Sequence, residues 1–409
     1  MSASFAPRRI AIVGASLSGG RAAEALRLKG FDGEVLLVGE EPLRPYERPP
    51  LSKAALLQSD STPQWLHAES FYEERDIELV TGAEVVALHT SKAGPFELTL
   101  ADGSRRAADK VLLATGGSPR RLAGVGSSQI VHYVRRWEDT QRLRPTLTQG
   151  ARVVVIGSGF IGAEIASTAL ALGCHVTVVE ALPFLFPSVP SRAVSDAMAG
   201  FFLQAGVVAY SGRTVSRVSE GQGAALVHLD DGTTLQADVV VAGIGIEPRV
   251  ELGRMAGAEI RRGVVVNERF ESRVPGLYAA GDVCCILGAR GDTLHVEHWK
   301  AAQEQGAAAA HAMLGLPPPA LSLPWCWSDQ LGHRIEVAGS PMASDQQLVR
   351  NLSDRELCVF HLRDGRLSGV VSLNAMRPMR MAMKLMEKGG QPDPAQLVDV
   401  AVPVNQVQC

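Results

Sequence analysis

The sequence predicts an α/β chain with two Rossmann-like dinucleotide-binding domains and a C-terminal α+β domain, and three observations carry that prediction. A strand, a glycine turn, a helix, a strand and an acid follow one another over RRIAIVGASLSGGRAAEALRLKG and EVLLVGE, within residues 8–40. The same order returns in ARVVVIGSGFIGAEIASTALALGCHVTVVE, residues 151–180. Beyond residue 325 the pattern changes to strand-like runs closed by one helix. With 409 residues the chain exceeds one ordinary core and has room for two or three domains.

In the first unit RRIAIVG reads as a buried strand, Ala22, Ala23 and Leu26 recur at helical spacing, and Gly30 closes the helix. Such a turn uses glycine for a tight reversal and close packing, receives a pyrophosphate on the helix N-terminus, and presents an acid, here Glu40, to ribose hydroxyls. Gly14-x-Ser16-x-x-Gly19 departs from the fingerprint at its middle position, and alone it fits a plain βαβ turn equally well. Serine adds one Cβ and a hydroxyl able to donate to phosphate, so Ser16 reads as a tolerated variant that bears on affinity.

The second unit matches the fingerprint in full. Gly157, Gly159 and Gly162 stand in full register after an apolar strand, and Glu180 closes the next strand. A carboxylate there accepts both adenosine ribose hydroxyls of NADH and repels the 2′-phosphate of NADPH, and the following ALPFLFP supplies no arginine for that phosphate. NADH is the expected nicotinamide.

Composition narrows the class further. A chain 46% hydrophobic and 20% charged, with net charge −3 and a pI near 6.4, is globular and is not a globally basic nucleic-acid-coating protein. The apolar stretch after Arg8 and Arg9 breaks at Gly14 and Ser16, too short for a membrane span, and a cytoplasmic protein is expected. Six cysteines (Cys174, Cys284, Cys285, Cys326, Cys358, Cys409) form no C-x-x-C, which argues against a zinc knuckle and against a redox dithiol; no metal site is expected.

Further stretches bring a family into view. VLLATGGSPRRL (111–122) resembles the crossover from a flavin domain into an inserted nicotinamide domain, VVVAGIGIEPRVEL (239–252) resembles the return, and GLYAAGDVCC (276–285) resembles the flavin-ribityl motif. With PYERPPLSK (45–53) and PWCWSDQ (324–330), the whole chain resembles the FAD-dependent NADH:ferredoxin reductases of bacterial Rieske oxygenase and cytochrome P450 systems, of the putidaredoxin reductase and biphenyl dioxygenase reductase type. The resemblance implies a glutathione-reductase-like architecture: an FAD domain from 1–117 and 247–325, an NADH domain at 118–246, and a C-terminal domain at 326–409.

It also implies roles. Ser18, Glu40, Arg48, Lys53, Val85, Arg135, Asp282 and Trp299 occupy the family's FAD-contact positions, with Asp282 on the ribitol, Arg48 and Arg135 near phosphate or adenosine, and Lys53 near the flavin ring. Arg135 otherwise reads as a surface arginine, Lys53 as a solvated lysine and Trp299 as core. The family pairs Lys53 with the glutamate after the second fingerprint, Glu164, as a charge pair bridging the two domains. A helix beginning near Trp299 aims its N-terminus at the flavin's pyrimidine end, where charge appears on reduction. Trp327 takes the position of an aromatic between flavin and electron carrier, or else is a core tryptophan of the C-terminal domain.

The expected reaction is hydride transfer from NADH to FAD and release of single electrons to a [2Fe–2S] ferredoxin. Arg377, Arg380, Lys384 and Lys388 are candidate docking charges on one helix face, and the alternative is a merely solvated face. Rival readings are a rubredoxin reductase, an NADH oxidase, a monodehydroascorbate reductase-like enzyme, or an apoptosis-inducing-factor-like redox-sensing flavoprotein. The acidic pI weighs against the last of these. Disulfide reductases are disfavoured because PYERPPLSK stands where they carry Cys-x-x-x-x-Cys.

Overall fold

The computed structural model describes residues 7–90, 95–125, 128–221, 223–288 and 291–408, so Cys409 lies outside the described residues. It divides into two compact units, one comprising Met1–Arg48, Pro63–Ser118 and Ile246–Ser322, the other Pro49–Thr62, Pro119–Gly245 and Leu323–Cys409.

The first unit is built on a five-stranded parallel sheet in the order Leu277–Ala279, Lys110–Leu113, Arg9–Val13, Glu34–Val38 and Ile77–Val80. Its central strand is covered on both faces, which is why Ile10 to Val13 are apolar without alternation. Gly14 ends that strand at φ +117°, and a Cβ there would lie 2.1 Å from the Ala114 carbonyl oxygen. The helix Leu17–Leu28 follows, and Gly30, at φ +78°, closes it while the Phe31 N–H reaches the Leu26 carbonyl at 3.1 Å.

A second helix of this unit begins at Trp299 and runs to Met313, as the sequence predicts. It packs on the fingerprint helix through Gly306, where a side chain would collide with the Ser18 carbonyl oxygen 2.2 Å away. Beside them stands an antiparallel sheet of Val85–Thr90, Phe96–Leu100 and Arg105–Ala108, whose Phe96, Leu98 and Leu100 alternate into the core.

The second unit holds another mainly parallel sheet, ordered Val208–Ser211, His175–Glu180, Arg152–Ile156, Val239–Ala242 and Val131–His132. The C-terminal residues form a five-stranded antiparallel sheet, ordered Trp325–Gln330, His333–Gly339, Arg366–Leu373, Glu356–Arg363 and Gln346–Ser353. One face packs Ala338, Phe360 and Val370 under the helix Met376–Lys388. The other sends Ile335, Val337, Val359 and Val371 into the same core as Val153, Val155 and Ile165. Leu56, fully buried, joins that core too, and it ties the segment Pro49–Thr62 to this unit.

The described cysteines are free. Burial pushes the thiols of Cys326 and Cys358 up to about 12, well away from thiolate chemistry. Among the described residues no group of His, Cys, Asp and Glu is arranged to hold a metal, and no helix is long and apolar enough to cross a membrane.

Candidate functional site

In the first unit the glycine turn forms a cradle. A Cβ at Gly19 would fall 2.0 Å from the Gly14 carbonyl oxygen, so the helix start is drawn against the strand end and its N–H groups open onto the space beyond. Ser18 is 6% exposed, and its hydroxyl has no hydrogen-bond partner among the described residues. A buried hydroxyl left this way costs about 1–3 kcal/mol unless something binds it. Gly281 packs directly over Ser18, its N–H donating to the Gln305 side chain at 2.8 Å, and so the turn carrying Asp282 stands beside the cradle. An orphaned hydroxyl, a cradle closed to side chains and a helix N-terminus together fit a dinucleotide such as FAD.

Ser16 is the N-cap of the fingerprint helix, in extended backbone. Its hydroxyl accepts a hydrogen bond from Arg48 Nε at 3.1 Å, and Arg48 Nη2 reaches Glu41 Oε1 at 2.6 Å. Burial opposes the Arg48 charge, yet Glu41, Tyr46 and Asp282 hold its pKa above the ordinary arginine value. Glu40 is engaged by Arg249, which also reaches Glu84 at 3.2 Å. The Trp299 indole donates to Glu47, and Val85 is buried at the start of its strand.

In the second unit Gly157 turns at φ +92° and Gly162 lies where a Cβ would be 2.1 Å from the Gly157 carbonyl oxygen, repeating the first cradle. Gly159 is the N-cap of Phe160–Ala171. Glu180 is buried and gripped on both oxygens: Oε2 accepts from Ser158 N–H at 2.8 Å and Ser158 Oγ at 2.7 Å, and Oε1 accepts from Leu182 N–H at 3.0 Å. Ser158 Oγ in turn accepts from the Phe186 N–H at 3.0 Å.

The helix Phe160–Ala171 also carries Glu164, 4% exposed, at the meeting of three segments. Lys53 Nζ lies 2.6 Å from Oε1, Ser52 Oγ donates to Oε2 at 2.5 Å, and Ser328 Oγ donates to Oε1 at 2.5 Å. Gln330 Nε2 donates to Ser328 Oγ at 2.9 Å, so that hydroxyl directs its own O–H at the glutamate. Lys53 and Glu164 both lie in the second unit, where Leu56 anchors the lysine segment in the core that also holds Ala163 and Ile165. Trp327 stacks on Trp325 with ring centroids 4.9 Å apart, on the sheet face opposite Ser328. Arg135 is half-buried at the start of the Trp137–Leu143 helix, its backbone N–H donating to Asp139 at 3.0 Å.

The sequence reading did not single out Arg249, Ser158, Ser52, Ser328 or Gln330. Ser158 sits between two fingerprint glycines and Ser328 inside PWCWSDQ, so their positions were in view. The carboxylates that Arg249, Ser158, Ser52 and Ser328 bond were not, because the fold brings together residues from 22 to 209 positions apart.

Residues 8–306 match the pyridine nucleotide-disulphide oxidoreductase family, and residues 325–408 match the reductase C-terminal family. The chain is 36% identical over 397 residues to a terpredoxin reductase of Pseudomonas sp, covering 96% of each. It is 36% identical over 395 residues to the ferredoxin–NAD(+) reductase subunit of the benzene 1,2-dioxygenase system of Pseudomonas putida, covering 96% of this chain and 95% of that one. The solved structure of the covalent putidaredoxin reductase–putidaredoxin complex superposes with a TM-score of 0.91 at 30% identity, covering 97% of each chain. With both cradles and the C-terminal sheet accounted for, the chain belongs to the pyridine nucleotide-disulphide oxidoreductase family, among its FAD- and NAD(H)-using ferredoxin reductases.

Proposed function

We propose that this enzyme takes hydride from NADH onto FAD and passes the electrons singly to a [2Fe–2S] ferredoxin that serves a Rieske oxygenase or a cytochrome P450. The observation that carries the reading is the segment Pro49–Leu57. Where a disulfide reductase places two cysteines, this chain has a short helical turn that delivers Lys53 to Glu164, and no cysteine precedes Cys174. Without a thiol pair to accept two electrons together, a one-electron carrier is the fitting acceptor.

FAD supplies the redox chemistry, since it accepts hydride and releases electrons one at a time. The chain's own residues position and stabilise. Gly14, Gly19 and the helix N-terminus receive the pyrophosphate, Ser18 and Asp282 bind the ribityl side, and Glu40 takes the adenosine ribose. In the second unit Gly157, Gly159 and Gly162 hold the NADH pyrophosphate while Glu180 accepts its ribose hydroxyls. Lys53 keeps a cation fixed by Glu164, suited to steadying the ring that receives charge. Arg135 and Trp299 are assigned to FAD contact, Trp327 to the electron exit, and the cytoplasm, where free thiols persist, as the compartment.

The test is NADH-driven reduction of cytochrome c with and without an added [2Fe–2S] ferredoxin. Turnover that depends on the ferredoxin and prefers NADH supports the reading. Equal rates with and without it, or a higher kcat/KM for NADPH, reject it.

A further inference from the structure

Ser16 occupies the position where a dinucleotide turn ordinarily has a second glycine, and in this chain its hydroxyl is already engaged. Arg48 Nε donates to it at 3.1 Å, while the same guanidinium is held from its other side by Glu41 at 2.6 Å. Tyr46, whose hydroxyl donates to the second Glu41 oxygen at 2.5 Å, closes the group. The Arg48 side chain is only 23% exposed and the Glu41 side chain 17%, so this ion pair is shielded from bulk water. Through Ser16 it is joined to the N-cap residue of the very helix whose N–H groups face the pyrophosphate position.

We propose that Ser16 is a positioning residue for the flavin's pyrophosphate, acting through Arg48. It fixes a charged guanidinium at the mouth of the turn, so that a tethered cation supplies what the closer backbone approach of a glycine turn would otherwise supply. The Ser16 hydroxyl accepts from Arg48 and so fixes the guanidinium, and it is the cation rather than the hydroxyl that meets the phosphate edge. Glu41 engages one side of the guanidinium and Ser16 the other, and the Ser16 contact fixes where the cation sits relative to the helix N-terminus. This inference rests on the assignment of the first cradle to FAD and adds that the departure from the fingerprint strengthens binding.

The prediction runs against what the motif alone would say. Ser16→Gly restores the consensus glycine, and if serine were merely tolerated it would leave affinity unchanged or improve it. Here it should weaken FAD binding to the apoprotein roughly five- to tenfold in a flavin-fluorescence titration, the size of one ordinary lost hydrogen bond. The effect should require the arginine: in an Arg48→Gln background, Ser16→Gly should change the dissociation constant less than twofold. Ser16→Thr, which keeps the hydroxyl on extended backbone, should retain most of the affinity. Wild-type affinity or tighter in Ser16→Gly, or an equal loss in both backgrounds, overturns the proposal. Failure of the wild-type apoprotein to bind FAD at all would instead reject the assignment of the cradle.

Discussion

At the scale of single residues, the proposed choice of NADH over NADPH rests on how firmly one carboxylate is held. Glu180 could swing aside for a 2′-phosphate were it attached only by its own side chain, but Ser158 supplies two of its three donors. Ser158→Ala removes the hydroxyl and leaves the backbone N–H. The expected outcome is a three- to tenfold rise in KM for NADH with kcat nearly unchanged, and a narrowed NADH-to-NADPH preference, since about 1 kcal/mol of orientation is lost and no group on the reacting atoms is touched. Steady-state kinetics with both coenzymes check it; a fall in kcat at unchanged KM would show that Ser158 acts elsewhere. Glu180 was legible from its place at the end of a strand after a glycine fingerprint. Ser158's grip was not, because a fingerprint states which positions must be small and is silent on what a small polar residue there will bond.

At the scale of elements, the C-terminal sheet carries a pH dependence of its own. His361 lies on the inner strand Glu356–Arg363, fully buried, with Nδ1 at 3.1 Å from Ser344 Oγ and no partner for Nε2 among the described residues. Burial pushes its pKa down to about 4, against the ordinary 6.5. The folded state thus holds the ring neutral where the unfolded chain would protonate it. Stability is fully present above about pH 6.5 and is lost as pH falls toward 4, by up to about 3 kcal/mol. His361→Gln should flatten that acid limb: its denaturation midpoint should fall less between pH 7 and pH 5 than that of the wild type, as urea titrations at the two values would measure. Parallel losses would move the acid sensitivity to His67, His132, His298 or His333, whose pKa values burial also lowers.

The strands of this sheet were unevenly legible for a related reason. RIEVAG, LCVFHL and LSGVVSL lie inside the sheet and are apolar enough to be read as strands, whereas Gln346–Ser353 forms an edge and exposes Gln346, Gln347, Val349, Asn351 and Ser353. An edge strand needs one apolar face at most, and its sequence is mostly that of a loop. The same applies to the lysine segment. Its Pro-Pro start reads as a turn, and only the burial of Leu56 beside Val153 and Ile165 shows which core receives it.

For the whole molecule, a net charge of −3 gives no general attraction to an acidic partner, so any steering must come from a local field. The helix Met376–Lys388 offers one. Arg377, Arg380, Lys384 and Lys388 are exposed at spacings of three and four, while Met379, Ala382 and Leu385 are buried beneath them. Arg380 is the least suitable probe, because its charge also bears on Glu336, a buried carboxyl whose pKa burial raises and whose neighbours Arg334 and Arg380 draw it back down. Arg377 and Lys384 carry no such duty. The double variant Arg377→Glu/Lys384→Glu should therefore lower kcat/KM for an acidic ferredoxin about tenfold at low ionic strength. The difference should shrink as salt rises and the Debye length falls below the separation of the docking charges, because long-range attraction acts on encounter and is screened first. NADH-to-ferricyanide activity, which needs no protein docking, should stay near wild type in the same preparation. A loss equal in both assays would mean damage to the fold or to flavin binding, and a loss in neither would place the docking field on another face of the enzyme.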